Sequence, residues 1–248
     1  MDKINKIKKL GLWIFIIPFI SVNICLILSQ SFEFKEFDVP SPGSYYGDWM
    51  IFNIGDAIAD KSSKWLIPYV DGSASISRVV RVYPVNIIFK LGMFITGFLL
   101  IKYWLLNKKL IIELKIIETN TNKMVFFGIC SAVLLIIHSI FLGIKYDIAI
   151  YKLFRRVILL LFIFMEITAQ FYLIKLFYKN KDLIKKFINI KVLNIKKVLV
   201  YSLILVAIAI LPFLPFANLK ILKHALEWDY FLGVITFYLL TFFLWKKI

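Results

Sequence analysis

The chain has 248 residues, of which 61% are hydrophobic and 17% aromatic, and its mean hydropathy is +0.83. Soluble domains carry about 45–50% apolar residues, so this composition excludes a water-soluble enzyme, a disordered chain and a small disulfide scaffold, and leaves an integral membrane protein. Lys+Arg total 31 against 15 Asp+Glu, a net charge of +16, which in so apolar a chain points to membrane-flanking cations and not to nucleic acid.

A hydrocarbon core of about 30 Å takes about 20 apolar helical residues. Six stretches meet that requirement: residues 10–29, 84–106, 124–144, 156–178, 198–217 and 221–245. They predict one all-α domain, a polytopic membrane bundle of six transmembrane helices. Lys8 and Lys9 precede the first stretch as in a secretory signal. Ser29-Gln30-Ser31-Phe32 is a poor cleavage site, however, and the stretch is long, so it is expected to be a retained span. Cations cluster at Lys3, Lys6, Lys8 and Lys9, at Lys108, Lys109, Lys115 and Lys123, over 179–197, and at Lys246 and Lys247. Six spans put all four clusters on one side, so both termini are expected in the cytoplasm; in a bacterium the membrane would be the plasma membrane. Lys145, Lys152, Arg155 and Arg156 fall on the other side. Trp13, Trp104, Trp228 and Trp245 stand near span ends, where interfacial aromatics are expected. Cys25 and Cys130 lie at different depths in apolar stretches and are expected to be plain thiols.

Residues 30–83 form the one long outer loop, with seven acids and five bases. After a Pro40-Ser41-Pro42-Gly43 turn cluster, Met50, Ile54, Ala57 and Ile58 against Asp56, Asp60 and Lys64 predict a short amphipathic helix over about 48–64. Further on come Asp71-Gly72 and then Ser73, Ser75 and Ser77, whose hydroxyls share one side of an extended chain. Arg78 and Arg81 follow at the membrane surface. Hydroxyls beside guanidinium groups suit phosphate oxygens, because Arg donates paired hydrogen bonds. Asp71, Ser75, Ser77, Arg78 and Arg81 are therefore candidate headgroup-binding residues, to be weighed against simple pairing of the arginines with acids or bulk lipid phosphate.

Ser75-Ile76-Ser77, Pro84 seven residues past Ser77, and Phe89-Lys90 five residues further resemble the start of the second span in a six-span superfamily. It contains the damage-regulated autophagy modulators (DRAM), the Frag and Sfk-type proteins, and the PGAP-type lipid remodellers with their CWH-like N-terminal domain. Ala225-Leu226-Glu227-Trp228 resembles the Glu-Trp motif of the DRAM branch. Arg78, Val79 and Val80 stand where the family often has Asp and Gly. The resemblance implies a multi-pass protein concerned with lipids or membrane organisation, without a defined reaction.

Ionisable residues inside a membrane are functional candidates. Glu166 and Gln170 share a face near the middle of the fourth span, and His138 lies in the third at a depth expected to be similar. His224 and Glu227 share a face at the start of the sixth and are further candidate headgroup-binding residues. No pattern of metal ligands accompanies them, so neither metal nor cofactor is expected, and no residue is assigned a catalytic role. The leading expectation is lipid-headgroup binding, lipid remodelling or membrane organisation. One alternative is a small proton-coupled transporter using Glu166. Another is a non-catalytic scaffold with a soluble or membrane protein partner at the basic link 179–197. Membrane lipids are the expected partners and nucleic acid is not.

Overall fold

The computed structural model describes residues 2–31, 67–72, 74–80, 83–116, 120–142, 149–210 and 220–246. The amphipathic helix expected over 48–64 and Arg81 lie outside the described residues. Peptide groups in hydrocarbon must be hydrogen-bonded within their own segment, and the apolar stretches accordingly form long helices. The helices are α1 (Asp2–Ser31), α2 (Pro68–Asp71), α3 (Ile76–Val79), α4 (Val85–Glu113), α5 (Asn120–Phe141), α6 (Ala149–Lys179), α7 (Lys181–Ile184), α8 (Ile190–Ile210) and α9 (Lys220–Leu244). Six of them are long and apolar enough to cross a membrane.

Helix α1 packs on α4, α4 on α5, α5 on α6, α6 on α8, α8 on α9, and α9 back on α1, so the six long helices close a ring around one core. Their outer faces carry Ile20, Leu91, Ile95, Phe98, Phe126, Leu160, Phe164, Leu205 and Ile208, all exposed. A continuous apolar belt of this kind has no place in water and suits lipid. Small residues set the closest approaches, as in other membrane bundles. A Cβ on Gly128 of α5 would sit 2.4 Å from the Trp104 ring of α4, and one on Gly11 of α1 would sit 2.8 Å from the Tyr238 carbonyl of α9.

The helices overrun the expected spans. Helix α1 starts eight residues before residue 10 and α4 continues seven past residue 106, because a helix can extend through the interface while its lysines reach for water. The larger difference is at the fifth span, expected over 198–217 and found as Ile190–Ile210. Residues 211–217 lie outside the described residues, and at its N-terminal side the helix begins eight residues before the expected 198. Lys191, Lys196 and Lys197, expected in a solvated link, thereby join the helix. That link is correspondingly shorter and is tied to the C-terminal end, with Asn189 N–H donating to the Leu244 carbonyl (2.7 Å) and Lys246 N–H to the Phe187 carbonyl (2.9 Å).

The interfacial tryptophan belt also needs correction. Trp13 is 52% exposed, but Trp104, Trp228 and Trp245 are buried. Trp104 fills the gap over Gly128, Trp228 packs edge-on against Tyr69 at 4.7 Å, and Trp245 against Phe177 at 5.7 Å. Cys25 and Cys130 are free thiols. The Gly128–Trp104 contact yields a stability prediction. Gly128→Ala should destabilise the bundle by about 1–3 kcal/mol through overpacking, seen as a lower Tm in detergent; an unchanged Tm would contradict this packing.

Candidate functional site

Polar side chains gather in two places, one at the end of the bundle where α9 begins and one in the interior. At the first, the segment 67–80 folds back on the start of α9. Pro68 opens α2 and Gly72 closes it in the left-handed region (φ 59°), with Gly72 N–H returning to the Pro68 carbonyl at 3.2 Å. This turn presents the backbone of Gly72, Ala74 and Ser77 to α9. His224 Nδ1 lies 3.0 Å from the Gly72 carbonyl; a carbonyl only accepts, so Nδ1 is the donor. Trp228 Nε1 donates to the Ala74 carbonyl at 2.8 Å, and Ser77 N–H donates to Glu227 Oε1 at 3.3 Å. The Ser75 and Ser77 hydroxyls are 3.2 Å apart. Tyr69, stacked edge-on against Trp228, donates its hydroxyl to Asn23 Oδ1 at 3.1 Å, which ties α1 to the same cluster. Burial pushes the Tyr69 phenol above its ordinary range, opposed by the Asn23 bond and reinforced by the Asp229 charge, so it stays a neutral donor.

Of the residues singled out in sequence, Ser75, Ser77, His224 and Glu227 are thus brought together. The backbone of Asp71 closes α2 and that of Arg78 lies in α3. His224 and Glu227 work in this arrangement as staples on main-chain groups. Among the described residues no three His, Cys, Asp or Glu side chains converge as metal ligands would.

The interior cluster centres on Glu166 of α6, which is 1% exposed. Three donors converge on its carboxylate: Ser131 Oγ of α5 at 2.6 Å, Gln170 Nε2 one turn along α6 at 2.9 Å, and the Tyr238 hydroxyl of α9. Gln170 Nε2 also reaches the Val234 carbonyl at 3.3 Å. His138 does not join them. It is buried on α5 seven residues beyond Ser131, about 10 Å along the axis, and its Nδ1 has no partner among the described residues.

One turn further along α9, Thr241 forms a second node. It donates to the Phe237 carbonyl at 3.1 Å and accepts from Lys196 Nζ of α8 at 2.6 Å, and the Tyr103 hydroxyl of α4 lies 3.2 Å away. Lys196 Nζ also sits 3.6 Å from the centre of the Phe237 ring, and the residue is fully buried. The Tyr103 and Tyr238 rings meet edge to face at 5.0 Å between the two nodes. Sequence reading missed Ser131, Tyr238, Thr241, Tyr103 and Lys196. Tyr238 and Thr241 share a face of α9 at i, i+3, which was a usable signal; Lys196 was hidden by the misplaced fifth span.

Six helices of spanning length with a lipid-compatible belt define a multi-pass integral membrane protein. Comparison of the chain with family models, curated proteins and solved structures returns no match.

The second node makes its own prediction. A buried polar group left without its partner costs more than one replaced by an apolar side chain of similar volume. Thr241→Val, which strips Lys196 of its acceptor, should lower the Tm by more than Lys196→Met, which removes the amine and keeps the packing volume. Equal or reversed losses would contradict Thr241 as the hydrogen-bond partner of Lys196.

Proposed function

We propose that this membrane protein binds a phospholipid or glycolipid headgroup where residues 67–80 dock on α9, and that it serves lipid organisation or remodelling. The observation that supports this reading is the meeting of the two short motifs behind the DRAM/PGAP-type resemblance. Ser77 N–H donates to Glu227 and Trp228 donates to the Ala74 carbonyl, joining positions about 150 residues apart. Two hydroxyls, an imidazole and a carboxylate are held in one cluster, and Arg78 and Arg81 follow Ser77 in the sequence. Phosphate and sugar hydroxyl groups are bound by such a donor and acceptor set. The interior carboxylate favours a structural role over a carrier role. Its oxygens already accept three hydrogen bonds, and His138 stands two turns away.

The test is lipid analysis of the purified protein. Arg78→Ala/Arg81→Ala and Glu227→Gln, each folded with an unchanged Tm, should carry severalfold less co-purified lipid than the wild type. Wild-type lipid content in the folded double variant would overturn the assignment.

A further inference from the structure

At the opposite end of the bundle, a groove of about 490 Å³ runs between α1 and α4, lined by Lys6, Lys9, Lys102 and Lys109 with Leu10, Trp13, Leu105 and Leu106. The Lys3–Glu113 ion pair fixes the antiparallel register of the two helices. Lys6 and Lys109 therefore stand at one level near the mouth. Trp13 and Lys102, each seven residues further along its helix, stand about 10 Å deeper.

Charge in this groove is unbalanced. Lys6 pairs with Asp2 at 2.6 Å. Lys9, Lys102 and Lys109 have no carboxylate within salt-bridge distance among the described residues. Three like charges along one groove repel, and an anion lying among them would relieve the repulsion. The walls narrow the choice of anion. Trp13 is 52% and Leu105 41% exposed, and the groove surface between the lysines is apolar. A free anion would leave that surface uncovered, whereas an amphiphile covers it and neutralises the cations together. Basic pockets between transmembrane helices at the membrane surface take polyanionic headgroups on this principle.

We propose that this groove binds an anionic phospholipid bearing two phosphates. One phosphate lies among Lys6, Lys9 and Lys109 and the other at Lys102, two turns deeper along α4. The acyl chains lie on Trp13, Leu10, Leu105 and Leu106. The site is at the other end of the bundle from the 67–80 cluster and stands independently of it.

Trp13 supplies the readout. The detergent-solubilised full chain is titrated with brominated diphosphatidylglycerol or brominated phosphatidylcholine at moderate salt, and indole quenching is followed. The diphosphate lipid should quench at about tenfold lower mole fraction than the zwitterionic one. Trp13→Phe should abolish that difference, and Lys9→Gln/Lys102→Gln/Lys109→Gln, monodisperse and melting as the wild type does, should remove most of it. Equal quenching by both lipids, or a preference that survives Trp13→Phe, would overturn the proposal. Trp13→Phe leaves every lysine in place, so it decides the matter even where the triple variant fails to fold. Inorganic diphosphate should not reverse the quenching; reversal would assign the lysines to a free anion and overturn the lipid site.

Discussion

A carboxylate in the middle of an apolar bundle has no water to turn to, so the surrounding helices must supply its hydrogen bonds. Glu166 obtains them from Ser131 on α5, Gln170 on its own helix and Tyr238 on α9. Apolar side chains can slide past one another at little cost, and lipid tails compete with them on equal terms. A directional bond to a buried carboxylate cannot slide. Three helices are thereby fixed in rotation and depth. Thr241, one turn along α9, extends the constraint to α8 through Lys196 and to α4 through Tyr103. Every long helix except α1 contributes a side chain to these two nodes. Helix α1 is positioned by close packing, with Gly11 against the Tyr238 backbone, and by its bonds at the two ends, Lys3–Glu113 and Tyr69–Asn23.

That interior arrangement sets what each end can do. Helix α9 carries Tyr238 and Thr241 in the core, and three turns earlier it carries Glu227 and His224, so its interior bonds also set the angle at which it meets the 67–80 segment. That segment then adds bonds that involve three residues of α9 along one face, His224, Glu227 and Trp228. At the other end, the Lys3–Glu113 pair holds α1 against α4 beside the lysine groove.

Much of this was legible in sequence, for identifiable reasons. Apolar length is a one-dimensional property, and the six spans, the all-α class and the odd position of Glu166 follow from it. The fifth span was misplaced because its lysines read as a hydrophilic link. Whether a lysine on a helix meets water or a Thr hydroxyl depends on the neighbouring helix, and hydropathy carries no such term. The same limit applies to Trp104, Trp228 and Trp245, whose burial is decided by the gap over Gly128, by Tyr69 and by Phe177. Ser75, Ser77, His224 and Glu227 could be named singly from local chemistry. Their convergence is tertiary. Glu166 and His138 could be given a common depth only by assuming a helix offset, and the offset found matches Glu166 with Ser131.

The central claim is that the Glu166 carboxylate is a bonded node and not a buried polar group that the bundle merely tolerates. A double-mutant cycle between Glu166→Gln and Tyr238→Phe, read as unfolding free energy in detergent or bicelles, tests it most directly. The account predicts that each single variant is destabilised and that the two losses are strongly non-additive, with a coupling of about 1 kcal/mol or more for a hydrogen bond to a carboxylate. Additive losses, or single variants as stable as the wild type, would contradict it.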